Sequence, residues 1–259
     1  MLRVLIAAAA VLAAGTAEAA VVTKVVEYEY DGAKLKGYLA YDDAVTGKRP
    51  GVLVVHEWWG LDDYARTRAK QLAEMGYVAF AADMYGEGKT VNHPDDARKM
   101  ATTVRENLKS WRGRAEAGLK QLAGQPNVDP TKLAAIGYCF GGSTCLQLAY
   151  SGADLKAVAT FHAALPTPTA AEAKAVKPRI YVAHGADDAF IPEKAIADFK
   201  AALDAAKVKY TFESFPGVVH SFTVPGADAH MIKGMKYDRA ADEKSWKEMK
   251  ALFKDTLGD

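Results

Sequence analysis

Cysteine is scarce in this chain: Cys139 and Cys145 are the only two among 259 residues, and they form no C-x-x-C pair. Thiol redox proteins normally carry that pair, so its absence argues against redox exchange as the function. A disulfide is also disfavoured, because six residues along one helix separate two Cα atoms by roughly 9 Å, beyond the limit of about 7 Å. We therefore expect Cys145 in the core and Cys139 as a free thiol.

An excess of charge of either sign is missing as well. Lys and Arg number 33 and Asp and Glu number 32, which leaves a net charge of +1, and no basic patch stands out. Nucleic acid and anionic membranes are therefore not expected as partners. Zinc-ligand spacing such as H-E-x-x-H is missing too, and the alternative cluster of His56, His184 and Asp187 lacks comparable spacing. We expect no metal and no cofactor.

Long hydrophobic runs are missing after the first twenty residues. Residues 1–20 begin with a short basic stretch, continue with an apolar run too short to span a bilayer, and end with small residues at cleavage positions. The pattern predicts a signal peptide, cut after Ala19 or Ala20, and favours it over an N-terminal membrane anchor. Residues 21–259 are then expected to form a single-domain monomer, exported to the periplasm or secreted, without membrane association.

Short apolar segments alternate with helical periodicity along the rest of the chain. Residues 22–28 and 35–41 surround a turn and predict an antiparallel hairpin. Six further strands are expected at residues 52–55, 78–82, 133–136, 157–161, 180–183 and 210–215. Helices are expected after Asp62 or Asp63, from Pro94 with a break near Gly113, after Cys139, from Pro192, and at residues 238–257. These elements predict a doubly wound, largely parallel eight-stranded sheet with helices on both faces.

Residues 137–141 have the pattern G-x-C-x-G between a predicted strand and a predicted helix. This is the pattern of a nucleophile elbow, a sharp turn that holds its central residue above the sheet, with cysteine in place of the commoner serine. The glycines let neighbouring backbone pass closely, and the N-terminus of the following helix favours the thiolate of Cys139. The alternative is a core cysteine, since free cysteine is among the most buried residue types.

Polar and aromatic residues follow the predicted strands at their carboxyl ends. They comprise residues 56–60 (HEWWG), 83–86 (DMYG), 162 (H), 184–188 (HGADD) and 217–222 (GVVHSF). Because ligands of open α/β sheets bind at these ends, we expect the residues to surround one mouth. A catalytic cysteine needs a histidine base and an orienting acid, and both residue types are present there.

Four segments in this order resemble the dienelactone hydrolase family of the α/β-hydrolase fold: residues 56–60, 137–142 (GYCFGG), 188–192 (DAFIP) and 220–222 (HSF). The resemblance extends over essentially the whole chain after residue 20. It implies a triad of Cys139, Asp188 and His220, with Glu57 as a carboxylate that faces the resting thiol. It also implies that a small ester or lactone is hydrolysed through a thioester acyl-enzyme.

Each of these roles has a physical basis. Asp188 and Asp187 are both suited to a turn before the next helix, and the family register selects Asp188 as the residue that orients the base. Glu57 would raise the pKa of the thiol and protect it from oxidation until substrate arrives. The backbone N–H groups of Trp58 and Phe140 are the predicted oxyanion hole.

His220 is the best candidate for the base, because it follows the last strand behind a turn and can reach the thiol. The other histidines are expected in exposed segments (His93, His230), in the core near the site (His56, His184), and either in the pocket wall or in the core (His162).

The substrate is expected to be small and neutral. In dienelactone hydrolases arginines hold the substrate carboxylate, whereas the matching positions here carry Glu87 and Val224. An aromatic pocket wall is expected instead, made by Trp59, Tyr85, His162 and Phe222. The alternative function is a non-catalytic periplasmic protein that binds a small molecule on a hydrolase scaffold.

Overall fold

The computed structural model describes residues 21–258, so the predicted signal peptide lies outside the described residues. The strands are β1 Val21–Tyr30, β2 Ala33–Asp42, β3 Arg49–Val55, β4 Val78–Ala82, β5 Val128–Tyr138, β6 Ala157–Phe161, β7 Arg179–Gly185 and β8 Tyr210–Phe215. They form one eight-stranded sheet in the order β1-β2-β4-β3-β5-β6-β7-β8. β1 and β2 form the predicted hairpin, β2 pairs antiparallel with β4, and all other neighbours are parallel. The predicted fold class is confirmed.

The α-helices are α1 Asp63–Glu74, α2 Pro94–Arg105, α3 Leu108–Ala123, α4 Phe140–Tyr150, α5 Ala170–Ala175, α6 Glu193–Ala205 and α7 Arg239–Leu257. A short 3-10 helix covers Ala227–His230. Among the described residues, no helix combines the length and the apolar character needed to cross a membrane.

The helix break predicted near Gly113 is wrong. α2 ends at Arg105, and α3 starts where the side chain of Asn107 accepts a hydrogen bond of 2.9 Å from the Ser110 N–H. Gly113 lies within α3, and a Cβ on it would lie 2.0 Å from the ring of Tyr30. The glycine therefore serves the close packing of α3 on β1, and a polar cap makes the break.

Alternate residues of the central strands enter two apolar layers, one on each face of the sheet. Leu53 and Val55 belong to the layer that includes Trp111 and Leu122 of α3, Leu146 of α4 and Phe199 of α6. Val52 and Val54 belong to the other layer, with Leu72 of α1 and Met249 and Phe253 of α7. Both faces are thus covered, which leaves the ends of the strands open for chemistry.

The position of the site follows from the winding of the chain. From β3 the chain passes to β4 on one side, and it then crosses to β5 on the other side of β3. Connections leave in opposite directions at such a switch point, so a crevice opens at the carboxyl ends of β3 and β5. The segment with Glu57 follows β3, and Cys139 follows β5.

Candidate active site

Cys139 lies in the sharp turn between β5 and α4. Its backbone has φ 49° and ψ −112°, a conformation that residues with a side chain rarely adopt. Two glycines allow it, because a Cβ on Gly141 would lie 2.1 Å from the Val55 carbonyl oxygen and one on Gly137 would lie 2.2 Å from the Gly141 carbonyl oxygen. The Cys139 N–H donates to the Phe161 carbonyl at 3.0 Å, which ties the turn to β6. The strained turn presents a half-buried thiol at the mouth of the sheet.

The loops after β7 and β8 bring an acid and a histidine together. His220 Nδ1 lies 2.7 Å from Asp188 Oδ2, and Asp188 Oδ1 accepts a hydrogen bond of 2.9 Å from the Phe190 N–H. Asp187 is exposed, while its N–H donates to the Val218 carbonyl. The structure therefore places Asp188, and not its neighbour, against the histidine.

His220 is buried, and both of its backbone polar groups are hydrogen-bonded to the segment that follows it. Its N–H donates to the Gly234 carbonyl at 3.0 Å, and its own carbonyl accepts from the Lys236 N–H at 3.1 Å. Burial by itself would lower the pKa of His220, but the negative charge and hydrogen bonding of Cys139 and Asp188 hold this pKa well above its ordinary value. The imidazole is therefore a strong base next to the thiol.

Glu57 is only 2% exposed and follows β3 directly. Its Oε1 atom accepts a hydrogen bond of 3.0 Å from the Ser221 hydroxyl and lies 3.5 Å from His162 Nδ1. Burial raises the pKa of Glu57 to about 7, although the charge of His220 and the Ser221 hydrogen bond act in the opposite direction. Within residues 21–258 no hydrogen bond joins Glu57 to Cys139; the thiol interacts with His220 instead.

A cavity of about 300 Å³ opens above Cys139 and His220. The other lining residues are Trp58, Pro94, Arg98, Arg105, Ala164, Phe190, Ile191, Ile232 and Met235. Two of them are arginines on α2, and none of these lining residues carries a carboxylate. Arg98 pairs with Asp95 at 3.7 Å, and the Arg105 guanidinium lies 5.3 Å from the centre of the Phe140 ring.

The four side chains predicted to line the pocket lie outside this wall, so the expected lining is corrected. Phe222 and His162 are fully buried. Tyr85 is also buried, and its hydroxyl donates to the Trp58 carbonyl at 2.8 Å. Trp59 is buried and lines a separate depression. Sequence position identified the correct loops but not the direction of each side chain, and of the adjacent tryptophans only Trp58 turns into the cavity.

The residues of the predicted oxyanion hole lie on either side of Cys139. Phe140 is the first residue of α4, so its N–H has no partner within the helix. Trp58 belongs to the loop after β3, next to the elbow. In the described part of the chain neither backbone N–H makes a hydrogen bond.

The two positions matched to the family arginines do not lie in the cavity wall. Glu87 lines a groove beside β1 and β2 with Glu27 and Lys34, and its N–H donates to the Lys34 carbonyl at 2.9 Å. Val224 is absent from the cavity lining. Glu87 therefore contributes no negative charge to the cavity wall, whereas Arg98 and Arg105 of α2 line it.

The remaining histidines lie where the sequence suggested. His93 and His230 are exposed, and His56 and His184 are buried. Backbone groups engage both ring nitrogens of His56, since Nε2 accepts from the Met84 N–H at 3.2 Å and Nδ1 contacts the Glu57 carbonyl. Within residues 21–258, no three His, Cys, Asp or Glu side chains are grouped as metal ligands.

The fold and the site define the class of protein. A largely parallel eight-stranded sheet with a nucleophile-elbow turn after β5, an acid after β7 and a histidine after β8 is the α/β-hydrolase fold. Residues 35–257 match the model of the dienelactone hydrolase family, and the chain belongs to this family of hydrolases. The resemblance inferred from the four motifs is confirmed.

Relatives of known sequence or structure match over almost their whole length. "Protein usf" of Aquifex pyrophilus is 30% identical over 240 residues, which cover 90% of this chain and 99% of the relative. The solved structure named m3DLH is 38% identical with a TM-score of 0.89, covering 92% of this chain and 99% of the other. A dienelactone hydrolase-like promiscuous phosphotriesterase from metagenomic libraries is 37% identical with a TM-score of 0.90, covering 92% and 100%.

Proposed function

We propose that this chain hydrolyses small esters or lactones, with Cys139 as the nucleophile, His220 as the general base and Asp188 as the acid that orients it. The observation that carries the proposal is the 2.7 Å contact between His220 and Asp188 beside the strained turn of Cys139. A strained nucleophile, a buried histidine and a buried acid at one cavity are the parts that acyl transfer needs.

The reaction proceeds in two halves. His220 takes the proton of the Cys139 thiol, and the sulfur forms a bond to the carbonyl carbon of the substrate. As the tetrahedral intermediate collapses, the bond to the leaving oxygen breaks, and His220 returns the proton to that oxygen. Water then gives a proton to His220 and its oxygen forms a bond to the thioester carbon. The C–S bond breaks, the carboxylic acid is released, and His220 returns the proton to the sulfur of Cys139. Asp188 holds the imidazole in the required tautomer throughout.

The negative oxygen of each tetrahedral intermediate is assigned to the backbone N–H groups of Phe140 and Trp58. Donors that are fixed before the reaction stabilise the developing charge without reorganisation. The helix that begins at Phe140 adds the positive end of its dipole to the same position.

We propose that Glu57 protects the Cys139 thiol from oxidation when no substrate is bound. As a carboxylate it adds negative charge where a thiolate would form, so it disfavours the thiolate and slows its oxidation. Because its pKa is raised to about 7, Glu57 can take up a proton near neutral pH and lose this effect when a substrate occupies the cavity.

We propose that the substrate is anionic, because of the side chains that line the cavity. This differs from the neutral substrate expected from the sequence. A neutral substrate was expected because arginine is missing at Glu87 and Val224, but the fixed charges in the cavity lining are Arg98 and Arg105. Guanidinium groups attract carboxylates and phosphates. We therefore assign small esters with an anionic group to this site.

Export and the monomeric state remain proposals supported by the sequence alone. Cell fractionation with N-terminal sequencing of the processed protein tests the signal peptide at residues 1–20. Sedimentation of the processed protein tests the monomer.

Esterase kinetics on the purified protein test the proposed function. Wild-type protein is expected to hydrolyse p-nitrophenyl acetate with a burst of p-nitrophenol that matches the number of sites, because the thioester accumulates. Cys139→Ala is expected to lose turnover by orders of magnitude. Cys145→Ala is the matched control, since Cys145 is fully buried in the core.

Two other outcomes would contradict the proposal. Equal background rates for wild type and Cys139→Ala, together with ligand binding, would favour the non-catalytic binding protein. Turnover of a phosphotriester without turnover of any ester would favour the activity named for the metagenomic relative.

A further inference from the structure

A series of polar side chains connects helix α1 to Glu57 and has no part in the mechanism proposed for Cys139. We name it the Arg68–Glu57 chain, and its members in order are Arg68, Tyr64, Thr223, His162 and Glu57. Arg68 Nε lies 3.1 Å from the Tyr64 hydroxyl, which lies 2.7 Å from Thr223 Oγ1. His162 Nε2 lies 2.8 Å from the same Thr223 oxygen, and His162 Nδ1 lies 3.5 Å from Glu57 Oε1. All members except the half-buried Tyr64 are buried.

The guanidinium of Arg68 fixes the direction of the first hydrogen bond in this chain, because arginine can only donate and the Tyr64 oxygen must accept. Our proposal takes the direction in which the Tyr64 proton goes to Thr223 Oγ1 and the Thr223 proton goes to His162 Nε2. In that arrangement the neutral ring of His162 carries its proton on Nδ1, the nitrogen that faces Glu57.

Arg68 itself is firmly held at the far end. It forms an ion pair with Asp242 of α7, and it donates to Gln71 at 3.1 Å and to the Thr223 carbonyl at 3.0 Å. The Tyr138 ring packs against Tyr64 with 5.1 Å between centroids. The Tyr138 hydroxyl is close enough to interact with the Tyr64 hydroxyl, so it is a second group that can compete for the Tyr64 proton.

Polar and charged groups face Glu57 from each neighbouring loop. They are His220 and Ser221 after β8, His162 after β6, and Trp59 and Asp62 before α1. Ser221 and His220 favour the carboxylate form, whereas burial and the charge of Asp62 oppose it. The effect of His162 depends on its tautomer, because an N–H at Nδ1 attracts the carboxylate and a lone pair there repels it.

We propose that Arg68, Tyr64 and Thr223 are positioning residues that act through the tautomer of His162 to hold Glu57 as a carboxylate in the resting site. This inference rests on the proposed function only for the importance of Glu57 to Cys139; the protonation of Glu57 can be measured whether or not the protein is an esterase. If the chain is interrupted, the His162 proton is free to move to Nε2, and a lone pair then faces Glu57.

Carboxyl ¹³C NMR with labelled glutamate tests the proposal directly. The signal that disappears in Glu57→Gln belongs to Glu57, and its pH titration gives the pKa of that carboxyl group. Tyr64→Phe and Thr223→Val each interrupt the chain and keep the shape of the side chain. In both variants the Glu57 titration is expected to move to higher pH by about one unit, because a lone pair in place of an N–H 3.5 Å from Glu57 Oε1 destabilises the carboxylate.

Two matched variants separate this role from a purely structural one. Thr223→Ser keeps the hydroxyl and is expected to titrate like wild type. Tyr138→Phe removes the competing hydroxyl beside Tyr64. Because the proposal assigns the Tyr64 proton to Thr223, this variant is also expected to leave the titration unchanged. A Glu57 titration that stays in place in Tyr64→Phe and Thr223→Val, or that moves equally in Tyr138→Phe, would overturn the proposal. Lower melting temperatures in these variants without a moved titration would do the same.

Discussion

Two openings lie at opposite ends of the sheet, and the larger of them lacks the chemistry of the smaller. The opening at the start of β7 and β8 has a volume of about 730 Å³ and is lined by polar residues such as Arg179, Asp204 and Lys209. These side chains are exposed to solvent. The opening at the carboxyl ends of the strands has about 300 Å³, yet buried His220 and the Cys139 thiol reach into it.

Backbone strain also distinguishes the two openings. Among the residues that line either opening, only Cys139 has a positive φ, of 49°. Its buried neighbours His162 and Ser221 have φ values of 40° and 54°, whereas beside the larger opening the exposed Lys207 has a φ of 57°. Strained conformations persist only where the surrounding structure holds them, and they gather at functional sites. Volume alone would therefore have selected the wrong end of this sheet.

Replacement of aspartates near the two openings is expected to give the largest difference in kcat between variants. Asp188→Asn should lower kcat for an ester by roughly 10³- to 10⁴-fold, because the amide cannot stabilise the required tautomer and charge of His220. Asp187→Asn, and Asp204→Asn in the larger opening, should remain within about twofold of wild type, as expected for exposed positions. Steady-state kinetics measure all three. A full loss in Asp187→Asn with activity kept in Asp188→Asn would reverse the assignment of the acid.

The buried carboxyl group of Glu57, close to the smaller opening, is expected to make the stability of the protein depend on pH. The pKa of Glu57 rises from its ordinary 4.5 to about 7 on folding, so the folded protein keeps this proton after the unfolded chain has lost it. Stability is therefore lost as pH rises from 4.5 to about 7, by about 3 kcal/mol at most, and Glu57→Gln should lack this loss. Urea unfolding of both proteins across this range measures the difference. A constant difference between them at every pH would contradict the burial argument.

Replacement of arginines at the two openings is expected to produce the smallest change in activity. Arg98→Gln and Arg105→Gln together should lower kcat/KM for an anionic ester, relative to a neutral ester of the same size, by about fivefold to tenfold, because exposed charges are screened by solvent. Arg179→Gln at the larger opening is the control and should leave the ratio unchanged. A wild-type preference for the neutral ester that survives both replacements would restore the expectation drawn from the sequence.

Periodicity and motif order predicted most of the architecture. The strand expected at residues 157–161 is observed as β6, and the final helix begins one residue after the predicted position. β5 is longer than predicted, from Val128 to Tyr138, because its pairing with β3 continues past an irregularity at Pro50 and Gly51. Long-range pairing of this kind is not encoded in a local apolar run.

Local sequence predicted which loops meet at the site but not which side chains enter the cavity. Arg98 and Arg105 are seven residues apart, which places them on one face of α2. That spacing is visible in the sequence, whereas the direction in which the helix presents this face depends on its packing. The Arg68–Glu57 chain was missed for a similar reason, since its members come from helix α1 and from three separate loops that converge only in the folded protein.

The close approach of Gly141 to the Val55 carbonyl leaves the Cys139 turn little freedom to move independently of the sheet. A Cβ on Gly141 would lie 2.1 Å from that carbonyl oxygen, so the backbone of the turn lies directly against β3. Cys139 is also tied to β6, and His220 is tied through its backbone to residues 234 and 236. The distance between Cys139 and His220 is therefore set by the sheet and its loops together, and a substitution that shifts β3 or β6 is transmitted to both side chains.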